Sequence, residues 1–485
     1  MFKNEVAEFI YKRTYSRWME DEGRREEWPE TIERFIDFLI LKNGEKIPEK
    51  TVKKIRQYML DFAVMPSMRF LWSAGPAAEK DNTVIYNCSF AKLNCVEAFA
   101  ECLHILMCGT GFGFSVEEDE VIKLPSIPEI KSGKDIARVT IDDSREGWAD
   151  SVKTLMTSLY EGQNIYFDYS QLRPEGARLS TMGGRSSGPQ PLIKLHDFIR
   201  ETMHNAQGRK LTSLECHDIA NQIAEIVVAG GVRRSSQISL SDLNDEDMRH
   251  AKDWPFPIRR AMANNSAIYR EKPTAADFLV EWGVLAKSGS GERGIFNLES
   301  AQNQAPARRY SSKIQGTNPC GEIMLRDMEF CNLSEVVVRE EDDLDSLLDK
   351  VETATWLGVL QSTFTNFPYL RKQWKKNCDV ERLLGVSLTG QMDNPLLMNS
   401  EALKALKSRV LRISRKASTA LDVNMPVSTT CVKPSGTVSQ LVDSASGCHP
   451  RYSQYYIRRY RIAATDPLLA MLKDQGVPCV PENGQ

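Results

Sequence analysis

The residues best suited to chemistry lie in one short run, Gly316-Thr317-Asn318-Pro319-Cys320-Gly321-Glu322-Ile323, with Cys331 soon after it. Asn318, Cys320 and Glu322 alternate, and in an extended stretch alternate side chains point to one side. A hydrogen-bonding amide, a thiol and a carboxylate would then face a common substrate. Pro319 and Gly321 impose a tight, unusual path on the backbone between them. Taken alone, the octet also reads as a turn with a buried cysteine. A second run, Pro434-Ser435-Gly436-Thr437-Val438, has small residues and hydroxyls suited to opening a helix. Free backbone amides and the helix dipole favour phosphate there, and a plain helix cap is the alternative. Gly111 belongs to a glycine turn that is not a P-loop, because no Gly-Lys-Ser/Thr follows it. Its glycines suit close approach of backbone to substrate.

Elements must hold these runs in place. Residues 1–64 read as helices: Val6, Phe9, Ile10, Tyr15 and Trp18 form one 3.6-period stripe. Ile32, Phe35, Ile36, Leu39 and Ile40 form a second, and the stretch Val52 to Val64 a third. From Met65 the texture changes to short apolar runs alternating with glycine-rich turns and helical patterns. Gly111 to Val116, Asn164 to Phe167 and Leu384 to Leu388 are examples. That alternation predicts an α/β body with buried strands. No clean linker divides it, so residues 65–485 are treated as one large domain. The acidic run Arg339 to Asp343 reads as a solvated loop opening a helix.

Bulk composition narrows the class. The chain has 485 residues, 41% hydrophobic and 26% charged, with a formal charge of −3, the mix of a soluble globular protein. Nothing indicates a nucleic-acid or membrane partner, and the N-terminus lacks an apolar secretory core, so the cytoplasm is expected. Eleven cysteines, an odd number with no C-x-x-C, argue against a secreted disulfide framework. Cys88, Cys95, Cys102 and Cys108 fall near heptad spacing and read as buried thiols on one helix face. The six histidines are dispersed, no two at i, i+4, and no metal site is expected.

The octet around Cys320 resembles the active-site loop of ribonucleotide reductases, and most closely that of the adenosylcobalamin-dependent class II catalytic chains. Further segments match in the family's order: Asn87-Cys88 with Gly109 to Ser115, Asp143 to Trp148, Gly188 to Leu192, Gly230 to Ser235, Asn264 to Ser266, Lys433 to Ser439, and His449 to Ser453. The resemblance covers roughly residues 65 to 475. It implies a ten-stranded α/β barrel with Cys320 at the tip of a central finger loop and the N-terminal helices packed outside. It also implies that Cys320 carries a thiyl radical, Glu322 is the base on the ribose 3′ hydroxyl and Asn318 orients the hydroxyls. Cys88 and Cys331 would give two electrons and become a disulfide. Asn87, Gly111, Pro319, Gly321, Pro434, Ser435, Gly436, Thr437 and Val438 would contact substrate. Gly230, Gly231, Val232, Arg233 and Arg234 would form the loop that reports a bound effector, a deoxynucleoside triphosphate or ATP with magnesium. The implied partners are a ribonucleotide and an external thiol reductant of thioredoxin or glutaredoxin type.

The chain departs from the family pattern in three places. Ser89 to Cys95 replaces a stretch in which many relatives carry an Asp-Ser pair for the effector. The N-terminal helices show no ATP-cone. The sequence stops at Gln485, where relatives continue with further strands and a cysteine pair, so the C-terminal part is read as short or missing. Adenosylcobalamin is the favoured radical source. The alternatives are a class I chain activated by a separate ferritin-like dimetal subunit, with Tyr455 and Tyr456 as a candidate relay, and a non-catalytic nucleotide-binding paralogue. Glycyl-radical lyases share the fold type, but no glycyl-radical loop is found.

Overall fold

The computed structural model describes residues 2–131, 137–177, 186–229, 236–289, 291–462 and 467–481. The N-terminal helices are α1 (Glu5–Thr14), α2 (Trp28–Asn43) and α3 (Glu49–Leu60). Asn4 caps α1 by accepting the Ala7 amide, and at the start of α2 the Glu30 carboxylate takes the Glu27 amide at 2.7 Å. The stripe on α2 is buried as expected at Ile32, Phe35, Ile36 and Leu39. The first stripe is shorter than its spacing suggested. Val6 is exposed, and Trp18 lies beyond the helix in a two-residue strand, also exposed. Periodicity counted across Tyr15, the α1 C-cap, therefore overran the helix end.

After α3 come β1 (Val64–Met65), β2 (Cys88–Lys92), α4 (Val96–Met107), β3 (Gly111–Ser115), β4 (Gln237–Asp242), β5 (Ala263–Tyr269) and β6 (Gly294–Asn297). A hairpin follows, β7 (Gly316–Thr317) and β8 (Met324–Leu325), then β9 (Glu329–Phe330), β10 (Leu333–Val337), α5 (Leu344–Gln361), β11 (Gly385–Thr389), α6 (Ser400–Leu421) and α7 (Thr437–Leu441). One sheet runs in the order β6-β5-β4-β3-β2-β9, parallel except for β9, and a second runs β11-β10-β1. β9 leads directly into β10, so the two sheets are continuous through Cys331 and Asn332. A single bridge from Val386 to Thr430 extends the second sheet.

This is the α/β architecture expected, with the strands Gly111–Ser115, Ile165–Asp168 and Gly385–Thr389 at the three places named. A closed ring of ten strands is not formed among the described residues, where β6 pairs with β5 alone. The four cysteines read as one helix face divide differently: Cys88 opens β2, Cys95 caps α4, Cys102 lies inside it and Cys108 ends it. Only Cys88 falls outside that helix and its caps; Cys88, Cys102 and Cys108 are buried as expected, and Cys95 is half-buried.

The N-terminal helices share the main hydrophobic core, which runs without a break from Ile10 to Val442. β1 pairs with β10, Lys54 and Tyr58 reach Asp349, and Asn43 bonds Thr363 at 2.8 Å. The hairpin β7–β8 lies against β2 and β3 so closely that glycine is required. A Cβ on Gly316 would fall 2.2 Å from the Phe90 ring, and one on Gly113 would fall 2.4 Å from the Thr317 carbonyl oxygen.

Candidate active site

The parallel pairing of β2 with β3 sets Cys88 opposite Gly111, and the antiparallel pairing of β9 brings the chain back beside it. The Cys331 amide donates to the Cys88 carbonyl at 2.9 Å, and the Cys88 amide donates to the Cys331 sulfur at 3.2 Å. Two thiols separated by 243 residues thus become neighbours, both buried and both free. Strand pairing brings about what their spacing could not reveal.

The hairpin delivers the third thiol. Between β7 and β8 the chain turns tightly: the Gly321 amide donates to the Asn318 carbonyl at 2.9 Å, and Gly321 has φ +80°. A side chain is strained at that φ, which is why glycine stands there. Asn318 and Glu322 meet through this turn rather than along an extended strand. Asn318 Nδ2 donates to Glu322 Oε2 at 2.7 Å, and Asn318 Oδ1 takes the Ile323 amide at 3.0 Å. The amide is fully buried and pinned at both ends. Cys320 stands exposed at the tip.

Gly111 shows how the hairpin meets the sheet. It is the first residue of β3 and not part of a turn, and a Cβ there would sit 3.3 Å from each of Cys88 Sγ, Pro319 Cγ and the Ser236 carbonyl oxygen. The neighbouring Cys88 thiol, with burial and Glu322, pushes Cys320 far above the ordinary thiol range. Cys320 favours the Cys88 thiolate, but Cys331 and complete burial outweigh this and hold it high as well. Both sulfurs therefore stay protonated at neutral pH, a state suited to hydrogen-atom chemistry rather than to nucleophilic attack. Burial raises Glu322, opposed by its bond to Asn318 and the charge of Lys433.

Asn87 takes a hydrogen bond from Ser67 Oγ at 3.2 Å, and its carbonyl takes the Gly111 amide at 2.8 Å, fixing it beside Cys88. A cleft of about 520 Å³ opens from Glu322 between Phe296, Ala305, Leu383 and Thr430. The run Pro434 to Val438 does lead into a helix, α7, with Gly436 at φ +56° as its N-cap. At five residues it is too short for a strong dipole. Gly230 to Arg234 lie outside the described residues. Tyr455 and Tyr456 are exposed.

Sequence reasoning missed one buried cluster. Asp81, His104 and Cys108 place an oxygen, a nitrogen and a sulfur within 4.8 Å of one another, and Arg145 donates to the Cys108 sulfur at 3.1 Å. The i, i+4 relation of His104 and Cys108 was the available signal.

Two family models match the chain: the ribonucleotide reductase alpha domain over residues 1–76, and the insertion domain of B12-dependent ribonucleotide reductase over residues 117–203. The chain is 29% identical to the adenosylcobalamin-dependent ribonucleoside-triphosphate reductase of Lactobacillus gasseri, over 99% of this chain and 78% of that one. It is 28% identical to the enzyme of the same name from Lactobacillus leichmannii, over 96% and 76%. A crystal structure of a B12-dependent class II ribonucleotide reductase superposes with a TM-score of 0.82 at 26% identity, covering 96% of this chain and 78% of that one. The chain belongs to the ribonucleotide reductases.

The class Id alpha subunit of Actinobacillus ureae, at TM-score 0.56 and 13% identity over 98% and 79%, shares the fold alone. As a ribonucleotide reductase, the protein has its N-terminal helices within the family's alpha domain rather than appended to it. The insertion-domain match falls in the stretch read from sequence as one undivided body. It takes in the helices Arg145–Tyr160 and Gln190–Asn205 and the two-stranded sheet Ala137–Thr140 with Ile165–Asp168. No helix among the described residues is long and apolar enough to cross a membrane.

Proposed function

We propose that this reductase converts ribonucleoside triphosphates to 2′-deoxyribonucleoside triphosphates, with adenosylcobalamin as its radical source. The observation that carries the reading is the gathering of three free thiols, Cys320, Cys88 and Cys331, beside the Asn318–Glu322 pair. Adenosylcobalamin, when bound, supplies the one-electron chemistry that removes the hydrogen atom from the Cys320 thiol. The exposed tip of the hairpin and the adjoining cleft suit a bulky cofactor, and Phe296, Pro306 and Leu383 would offer it apolar contact.

The residues then divide the work. The Cys320 sulfur, left with an unpaired electron, takes the 3′ hydrogen atom of the ribose. Glu322 accepts the 3′ hydroxyl proton, a task for a carboxylate within hydrogen-bond reach. Asn318 holds that carboxylate and the ribose hydroxyls together. The C2′–O bond breaks and the oxygen leaves as water. Cys88 and Cys331 together give two electrons and two protons and join as a disulfide, for which their adjacency is the geometric requirement. Cys320 returns its hydrogen to C3′. The net change is one ribonucleotide and one dithiol to one deoxyribonucleotide, one disulfide and water. An external thiol must then reduce the Cys88–Cys331 pair. Asn87, Gly111, Pro319 and Gly321 shape the ribose site, and Pro434 to Val438 receive the phosphates. Gly230 to Arg234 relay a nucleotide effector.

The test is an incubation of the chain with a ribonucleoside triphosphate, a dithiol and adenosylcobalamin, with no second protein. Deoxynucleotide is the expected product. Product only after a ferritin-like metal subunit is added would replace the cobalamin reading, and product under neither condition would leave a nucleotide-binding paralogue.

A further inference from the structure

Lys433 belongs to the run that leads into the phosphate loop, yet the chemistry above gives it no task. Its side chain is buried, and Nζ donates to Glu335 Oε2 at 2.6 Å, with Glu335 wholly buried on β10. The Ser435 hydroxyl lies between the other Glu335 oxygen and Thr389 Oγ1, the latter at 2.6 Å. The Gly447 amide donates to both Ser435 Oγ and Thr389 Oγ1 at 3.2 Å. From the N-terminal side, the Tyr15 hydroxyl bonds Thr437. One buried carboxylate thus holds two side chains of the loop against the second sheet.

The same segment runs past the hairpin. The space that a Gly385 Cβ would fill is bounded by Cys431 Sγ at 2.9 Å and Ile323 Cδ1 at 3.2 Å, and Thr430 lines the cleft that Glu322 borders. Lys433 follows two residues beyond Cys431, and the charges of the two side chains act on one another.

We propose that the Lys433–Glu335 pair is a positioning device for the reductase reaction, fixing the phosphate loop on the second sheet through Lys433 and Ser435. The claim rests on the reading of Glu322 as base and of residues 434–438 as the phosphate site. Lys433 is in contact with Glu335 from β10; the charges of Cys431 from its own segment and Tyr15 from the end of α1 also act on it, and its own charge acts on Glu322 and Cys320 of the hairpin. Burial works against the ammonium, and Glu335 more than restores it. Lys433 in turn draws Glu322 toward its ionised form, as a base requires.

The experiment uses the full chain with adenosylcobalamin and compares wild type with the double variant E335Q/K433M, which removes both charges and leaves neither partner alone in the core. The nucleotide KM should rise about tenfold. The acid limb of kcat/KM should move to higher pH, while thermal unfolding stays near wild type. K433R should restore the limb. S435A, which deletes one hydroxyl and keeps both charges, should raise KM and leave the limb in place. A folded double variant with wild-type KM and limb overturns the proposal. Should the double variant fail to fold, S435A with an unchanged KM overturns it as well. E322Q, run alongside, separates the two claims: loss of turnover supports Glu322 as base. Retained turnover with an intact limb refutes that reading, and the pair is then judged on KM alone.

Discussion

A hydrogen atom can be taken only from a thiol that still carries one, and burial with neighbouring sulfurs holds Cys88 and Cys320 in that state. Substituting Cys320 with Ala should abolish turnover and leave nucleotide affinity within about twofold, since the tip side chain holds no structural contact that binding needs. Equilibrium binding of a ribonucleoside triphosphate checks it. Titration at a second place affects stability rather than chemistry. Burial disfavours the charged His104, but the Cys108 sulfur and Asp81 outweigh it and raise its pKa from 6.5 to about 10. A raised pKa stabilises the fold fully below about pH 6.5, and the stabilisation is lost as pH climbs toward about 10. The thermal midpoint should fall across that interval, and His104→Gln should flatten the fall. That Cys320, Glu322 and Asn318 stand together was legible because they share one short run; the roles proposed for them come from the family resemblance. The mutual bond of Asn318 and Glu322 was legible only as proximity. Its cause, a turn rather than an extended run, depends on Gly321 taking a positive φ that the sequence permits and does not require.

The decisive element is the hairpin β7–β8, seated on β2 and β3 without room for a methyl group. Gly113→Ala would drive its Cβ into the Thr317 carbonyl at 2.4 Å, and neither backbone can yield cheaply. We expect a loss of about 1–3 kcal/mol in urea unfolding, and a larger loss of turnover as Cys320 is displaced. Phe90→Ala removes the buried ring under Gly316 and should cost about 3–5 kcal/mol. Strands such as β3 and β11 announced themselves by apolar runs between glycines. The pairing of β9 with β2 did not, because two residues give no periodicity, and register is set by the partner strand. That pairing makes Cys88 and Cys331 neighbours, so the dithiol was readable from family resemblance and not from spacing.

At the scale of the molecule, the N-terminal helices and the α/β body share one core. β1 pairs with β10, and the Tyr15 hydroxyl reaches Thr437 at the start of α7. Deleting residues 2–64 would expose β10 along that edge and strip apolar cover from the core, so the remainder should lose its cooperative thermal transition by circular dichroism. A truncated chain that melts cooperatively would refute this. Sequence texture marked a boundary near residue 64 because composition changes there, whereas long-range packing crosses that point. The central claim joins all three scales: Cys320 starts a reaction whose electrons come from Cys88 and Cys331 within this one chain. Its most direct test is a single turnover of pre-reduced protein with adenosylcobalamin and a ribonucleoside triphosphate, with all external reductant removed. The account predicts one deoxynucleotide per active chain, matched by one Cys88–Cys331 disulfide in the peptide map. Deoxynucleotide formed while both cysteines remain as free thiols would contradict it.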